Sequence, residues 1–207
     1  MKIVVVSDTH TRHQELGALK GDVLIHCGDA ALGFNATPGD VEELDHWFGQ
    51  QDFRLILCTG GNHDFDLERR TRARAAPLKN AVYLQDQCHA YGGRLFYGAP
   101  WVPELSGWAF HLEGPDLRDK WATIPEATDV LITHTPPFGI LDRNTSGKQC
   151  GCPHLRDRVA VLQPALHVFG HIHASSGMIE VGSTRYVNAS MVDRLGRIKR
   201  QPFEIEL

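Results

Sequence analysis

Apolar residues along this chain gather in short, nearly unbroken runs. "KIVVV" (2–6), "DVLIHC" (22–27), "RLILC" (54–58), "DVLIT" (129–133) and "LHVFG" (166–170) are the clearest. Continuous Val, Ile and Leu over this length predicts strands buried on both faces. Helical patterns fall between them: "TPGDVEELDHWFGQQ" (37–51), "FDLERRTRARAAP" (65–77) and "HLRDRVAVL" (154–162). In the first, Thr37 can cap, Pro38 suits the first turn, and acids lie at the positive end. From residue 81 the rhythm shortens. "AVYLQ", "CHAYGG", "RLFYGAP", "GMIEV", "TRYVNAS" and "PFEIEL" predict strands joined by tight turns, partly antiparallel. The pattern implies an α/β fold with one mixed sheet or two packed sheets and helices outside.

The informative residues follow the buried runs. "KIVVV" leads into "SDTH", "DVLIHC" into "GD", "RLILC" into "TGGNHD", "DVLIT" into "HTPP" and "LHVFG" into "HIH". Ligands of α/β sheets bind beyond the carboxyl ends of the strands. Parallel strands would therefore bring Asp8, His10, Asp29, Asn62, His63, Asp64, His134, His171 and His173 to one rim. A single Asp or Asn there is explained by turn capping. Five separate turns have no shared reason to choose metal-binding side chains. Mixed imidazole, carboxylate and amide donors suit Mn, Fe, Zn or similar ions, whereas Mg prefers oxygen alone. So many donors exceed the need of one tetrahedral ion and fit two divalent ions sharing a carboxylate. With Asp8 and Asp29 supplying two negative charges, such a site stays positive and attracts phosphate.

Composition adds limits. The chain has 207 residues, 42% of them hydrophobic and 22% charged, as expected for one globular domain spanning 1–207. A net charge of −4 argues against a duplex nucleic-acid partner. The basic stretches "ERRTRAR" (68–74) and "RLGRIKR" (194–200) lack interleaved aromatics and read as solvated faces. No run reaches the ~20 apolar residues of a membrane span, and the first apolar run is short for a secretory signal. Five cysteines, an odd number, point to a reducing cytoplasm. Oligomeric state is not encoded legibly.

In order and spacing, D-x-H (Asp8, His10), G-D (Gly28, Asp29), G-N-H-D (Gly61 to Asp64), a strand-end His134 and G-H-x-H (Gly170 to His173) resemble the calcineurin-like metallophosphoesterase superfamily. The resemblance covers nearly the whole chain. "GAPWVPELSGWAF", "DVLITHTPPFGILD", "GKQCGC", "LHVFGHIH" and "YVNAS" make it most similar to the class III phosphodiesterase-type, metallophosphoesterase-domain (MPPED-like) subgroup. The resemblance implies a four-layer α/β/β/α sandwich of two mixed sheets flanked by helices. It implies two divalent ions, manganese favoured: Asp8, His10 and His173 on the first, Asn62, His134 and His171 on the second, Asp29 shared. It places His63 over the metals as the general acid and implies hydrolysis of small phosphodiesters, cyclic nucleotides among them, by a bridging hydroxide. A phosphomonoesterase or phosphoprotein phosphatase, a nuclease and a non-catalytic scaffold are the alternatives.

Softer expectations remain. Asp64 is placed to orient His63 or to cap the following helix. Gly60 and Gly61 suit a sharp turn off the strand. Arg143 and Lys148, in the loop "RNTSGKQCGC", are candidates for contact with substrate phosphate. Cys150 and Cys152 read as loop thiols. Trp101 and Trp108 read as core residues that could otherwise wall a base pocket, and Asn188 as hydrogen bonding a turn or bracing the site.

Overall fold

A computed structural model describes residues 1–74 and 77–207. Its eleven strands form two mixed sheets. The first holds β1 (Lys2–Val6), β2 (Lys20–His26), β3 (Asp52–Cys58), β4 (Val82–Tyr83) and, at the far edge, β11 (Phe203–Glu206). Within it β1, β2, β3 and β4 run parallel, and β11 pairs with β1 antiparallel. The second runs in the order β5 (Gln87–Tyr91), β6 (Arg94–Ala99), β7 (Val130–Thr133), β8 (Leu166–Phe169), β10 (Thr184–Asn188) and β9 (Gly177–Val181). Its β6, β7, β8 and β10 are parallel, with antiparallel hairpin partners β5 and β9 at the edges.

Period-two alternation builds the layers. Ile3 and Val5, Val23 and Ile25, Ile132, Val168 and Val187 point into one core between the sheets. Val4, Val6, Leu24 and Ile56 point the other way, against Leu44, Trp47 and Phe48 of α1 (Pro38–Gly49) and Leu67 of α2 (Phe65–Arg72). Tyr97, Leu131 and Phe169 face Leu117 and Trp121 of α3 (Gly114–Ala122) and Leu155 and Val159 of α4 (Pro153–Leu162). Strands apolar on both faces are thus covered twice, giving α/β/β/α. Among the described residues no helix is long and apolar enough to cross a membrane.

Three expectations need correction. The helix predicted over 65–77 ends at Arg72, and residues 75 and 76 lie outside the described part. Thr37 precedes α1 without a side-chain bond to the helix backbone; its hydroxyl donates to the Asp40 carboxylate at 2.6 Å. Helix α3 escapes the sequence pattern, because among its nine residues only Leu117 and Trp121 are buried apolar positions.

Not every histidine belongs to the rim. His13 is buried against Trp47 and its pKa falls to about 4; His167, beneath Thr133, falls to about 3. Burial is the main cause in both. Imidazoles titrate near 6.5 when unfolded, so the unfolded chain takes up protons first as pH drops. Stability from these two residues should be complete above pH ~6.5 and decline toward pH ~4, by ~1.4 kcal/mol per unit for each. Urea midpoints between pH 7 and 4 will show a steep fall; a flat profile would contradict the neutral assignment.

Candidate metal centre

The parallel strands β1, β2 and β3 of one sheet and β7 and β8 of the other end at a common rim, and the polar turns meet there. His173 Nε2 lies 3.2 Å from Asp8 Oδ1 and 3.3 Å from His10 Nε2. His134 Nε2 lies 3.3 Å from Asp29 Oδ2 and 3.2 Å from Asn62 Oδ1. His171 packs its ring on His134, with centroids 5.1 Å apart. Asp8, His10 and His173 form one cluster able to hold a metal ion, and Asp29, His134 and His171 another. Asp29 also groups with His10 and His63.

Local backbone geometry aims these groups. Asp8, His10, Asp29 and His171 all have positive φ, between 43° and 68°. For a residue with a side chain this conformation costs about 1–3 kcal/mol, and it persists only where neighbours enforce it. Here cross-strand bonds do so. Asp8 N–H donates to Gly28 O at 2.9 Å, His10 N–H to Asp29 O at 3.1 Å, and His171 N–H to the Asp8 carboxylate at 3.0 Å. His26 knits the same turns, accepting from Gly28 N–H at 3.2 Å and meeting Thr9 Oγ1 at 3.0 Å.

The donor set fits metal ions. His10 Nδ1 faces Ala31 O at 3.0 Å and His134 Nδ1 faces Cys27 O at 2.8 Å. A carbonyl only accepts, so both Nδ1 atoms carry hydrogen, and each ring, once Nε2 has given up its proton, turns a lone pair into the site. The electrostatics favour a cation. Burial opposes charge on Asp29 and on His134, yet their pairing lowers the first below the usual carboxylate range and lifts the second to about 9. Burial works against charge on Asp8 too, but His173, bonded to it, holds it well below the usual range.

Asp64 plays neither expected part. No side-chain cap bond joins it to α2, and it does not meet His63. Its two oxygens accept N–H groups from Asp29 (2.8 Å), Ala30 (3.0 Å), Ala31 (3.0 Å) and Gly61 (2.8 Å). It therefore clamps the Asp29 turn to the Asn62 turn. Burial and nearby Asp29 raise its pKa to about 7, while donors on every side favour the anion. Asp64→Asn turns an NH2 group toward N–H donors and should cost about 2–3 kcal/mol. Guanidinium unfolding of the metal-free protein will register that loss; an unchanged midpoint would contradict the clamp.

Gly61 opens the turn after β3, its carbonyl accepting from Asp64 N–H at 3.0 Å, although neither Gly60 nor Gly61 has positive φ. A Cβ on Gly61 would lie 2.4 Å from Asp29 Oδ1 and 2.6 Å from His134 Cε1. Close approach of the two sheets excludes a side chain there.

His63 presents Nε2 to the site, 3.9 Å from Asp29 Oδ2. Its ring is held edge-to-face by His10 and against Trp108, each at 4.7 Å between centroids. Its Nδ1 is buried with no partner among the described residues, and burial lowers its pKa. Trp108 is thus a wall of the site, whereas Trp101 donates to Asp86 at 2.7 Å and packs inward. Asn188 ties two loops together, donating to Leu141 O and Ile172 O, both at 3.0 Å. It also accepts from Ser190 N–H at 3.2 Å, and the Ser190 hydroxyl donates to Asp8 Oδ2 at 2.8 Å. The sequence reading passed over Ser190; its place two residues beyond Asn188, past the end of β10, was the available signal.

The structure does not bring Arg143 and Lys148 to the cluster by any contact. Arg143 donates to Gly147 O within its own loop at 2.9 Å, and Lys148 lies 3.7 Å from Glu104. A solvated loop explains both better than phosphate contact. Cys152 is buried and accepts from Trp121 Nε1 at 3.3 Å; neither it nor Cys150 joins a candidate metal group.

Comparison with known proteins agrees with this geometry. The model of the calcineurin-like phosphoesterase family matches residues 1–175. Metallophosphoesterase domain-containing protein 1 of Homo sapiens is 38% identical over 217 residues, covering 92% of this chain and 66% of its own. A UPF0046 protein of Caenorhabditis elegans is 32% identical over 235 residues, covering 98% and 59%. The chain thus spans about two thirds or less of these curated relatives. TT1561 of Thermus thermophilus superposes with a TM-score of 0.60 at 12% identity, covering 90% of this chain and 88% of its own, a likeness of fold alone. With its family match, these relatives and two ligand clusters at the meeting of two sheets, the chain belongs to the calcineurin-like phosphoesterases.

Proposed function

We propose that the protein is a metal-dependent phosphodiesterase that hydrolyses small phosphodiesters, cyclic nucleotides among them. One observation carries the reading: two ligand clusters share a rim, Asp29 belongs to one and groups with His10 of the other, and His63 Nε2 lies 3.9 Å from Asp29. Asp8, His10 and His173 would hold one divalent ion, Asn62, His134 and His171 a second, with Asp29 common to both. Manganese suits this donor mixture. Bound ions would supply positive charge to the phosphoryl oxygens and a nucleophilic water at neutral pH.

The chain's own residues do the rest. His10 and His134, oriented through backbone carbonyls, keep the site rigid. His63 is the proton donor for the departing oxygen. Its Nε2 faces the site, and burial disfavours the charged ring, so the imidazolium releases its Nε2 proton readily. His63→Ala should slow esters with alkoxide leaving groups by about 10²–10⁴-fold and leave nitrophenolate esters much less affected. A plot of log kcat against leaving-group pKa will steepen in the variant; parallel plots for both proteins would remove the acid role. The diesterase reading itself is tested by comparing manganese-loaded protein on bis(p-nitrophenyl) phosphate and p-nitrophenyl phosphate. The diester should be preferred in kcat/KM; a preference for the monoester would overturn it.

A further inference from the structure

A cavity of about 490 Å³ opens directly against the metal-site histidines. His171 and His173 form one wall; Arg194, Leu195 and Arg197 of the turn after β10, with Asn144, form another. The volume lies in the range of small-ligand sites, ~300–1,000 Å³. None of His63, Phe34 and Trp108 lines it, so it is separate from the aromatic wall beside the proposed acid.

The three arginines of this turn differ in what they hold. Arg197 is paired with Asp193 at 2.9 Å. Arg200 donates to His173 O at 2.8 Å and also to Val192 O, tying the turn to the metal-binding loop. Arg194 lines the cavity with no hydrogen bond or ion pair among the described residues. A planar guanidinium without a carboxylate, next to an exposed Leu195 and lining the same cavity as His171 and His173, is suited to a second anionic group on an otherwise partly apolar substrate.

We infer that this cavity receives the ester group that stays on phosphorus, and that Arg194 selects substrates whose retained group carries an additional phosphate or carboxylate. The inference rests on the phosphodiesterase reading, since it assigns the two ester groups to opposite walls. It replaces Arg143 and Lys148 as the substrate-facing cation.

The test fixes the leaving group and varies the retained one. Thymidine 5′-(p-nitrophenyl phosphate) is compared with the same ester bearing a 3′-phosphate, on manganese-loaded protein. One charge-assisted contact should raise kcat/KM for the 3′-phosphorylated ester by about tenfold, through KM. In R194A the ratio of the two kcat/KM values should fall to about one, and R194K should keep part of it. Equal kcat/KM values in the wild type, or an unchanged ratio in R194A, would overturn the assignment. Calorimetric binding of thymidine 3′,5′-bisphosphate and thymidine 5′-monophosphate provides a readout without turnover. The bisphosphate should bind about tenfold more tightly, and R194A should abolish that margin; no margin in the wild type counts against the cavity. If neither ester is hydrolysed while the bisphosphate margin depends on Arg194, the phosphodiesterase reading fails and the anion site stands.

Discussion

Asp29→Asn is expected to strip the protein of both metal ions and to lower diester turnover by about a thousandfold or more. Loss of a group that merely orients a ligand already costs about 10–100-fold in metal affinity. Asp29 is placed to be a ligand itself, and to both ions: Oδ2 lies 3.3 Å from His134 Nε2, and the residue also groups with His10 and His63. The amide keeps the shape and can still accept the His63 N–H that Asp29 Oδ1 accepts at 2.8 Å. What it removes is charge. Two cations held by seven side chains would then face Asp8 as the one ionised ligand. Metal analysis of the purified variant should find well under one ion per chain, with wild-type near-ultraviolet circular dichroism. Two ions retained in the variant would contradict a shared carboxylate.

Gly170→Ala should be strongly damaging for so small a substitution. A Cβ there would sit 2.0 Å from Ser7 Oγ and 2.1 Å from Asp8 Oδ2. Asp8 cannot easily yield, because the His171 N–H and the Ser190 hydroxyl both hold it. Overpacking of this kind costs about 3 kcal/mol when the neighbours are fixed. Equilibrium unfolding in urea measures it, and Gly177→Ala is the control: its nearest neighbour would be 3.8 Å away. Equal stability of the two variants would show that the Asp8 loop is softer than its hydrogen bonds imply.

These glycines show which parts of the site the sequence discloses. The five strand-end motifs were legible because each ligand sits within a few residues of a continuous apolar run. Asp8 and His10 follow β1 directly, and His171 and His173 follow β8. The division into two sheets was not legible from periodicity, since strand pairing is non-local: Ile3 pairs with Ile205 on one side and with Val23 on the other. Asp64 was misread for a related reason. Three of its four partners are backbone N–H groups of the Asp29 turn, more than thirty residues away, and no pattern within "GNHD" encodes them. The basic stretch 194–200, read as a solvated face, divides into an ion-paired Arg197, a bracing Arg200 and an unpaired Arg194 only when the turn is seen against His173.

The central claim is that two ions, not one, make this rim active on phosphodiesters. The most direct measurement is turnover of bis(p-nitrophenyl) phosphate as manganese is returned stepwise to metal-free protein, with bound metal counted per chain. Activity should stay low through the first equivalent and rise with the second. Full activity at one bound ion, or none when both are bound, would contradict the account.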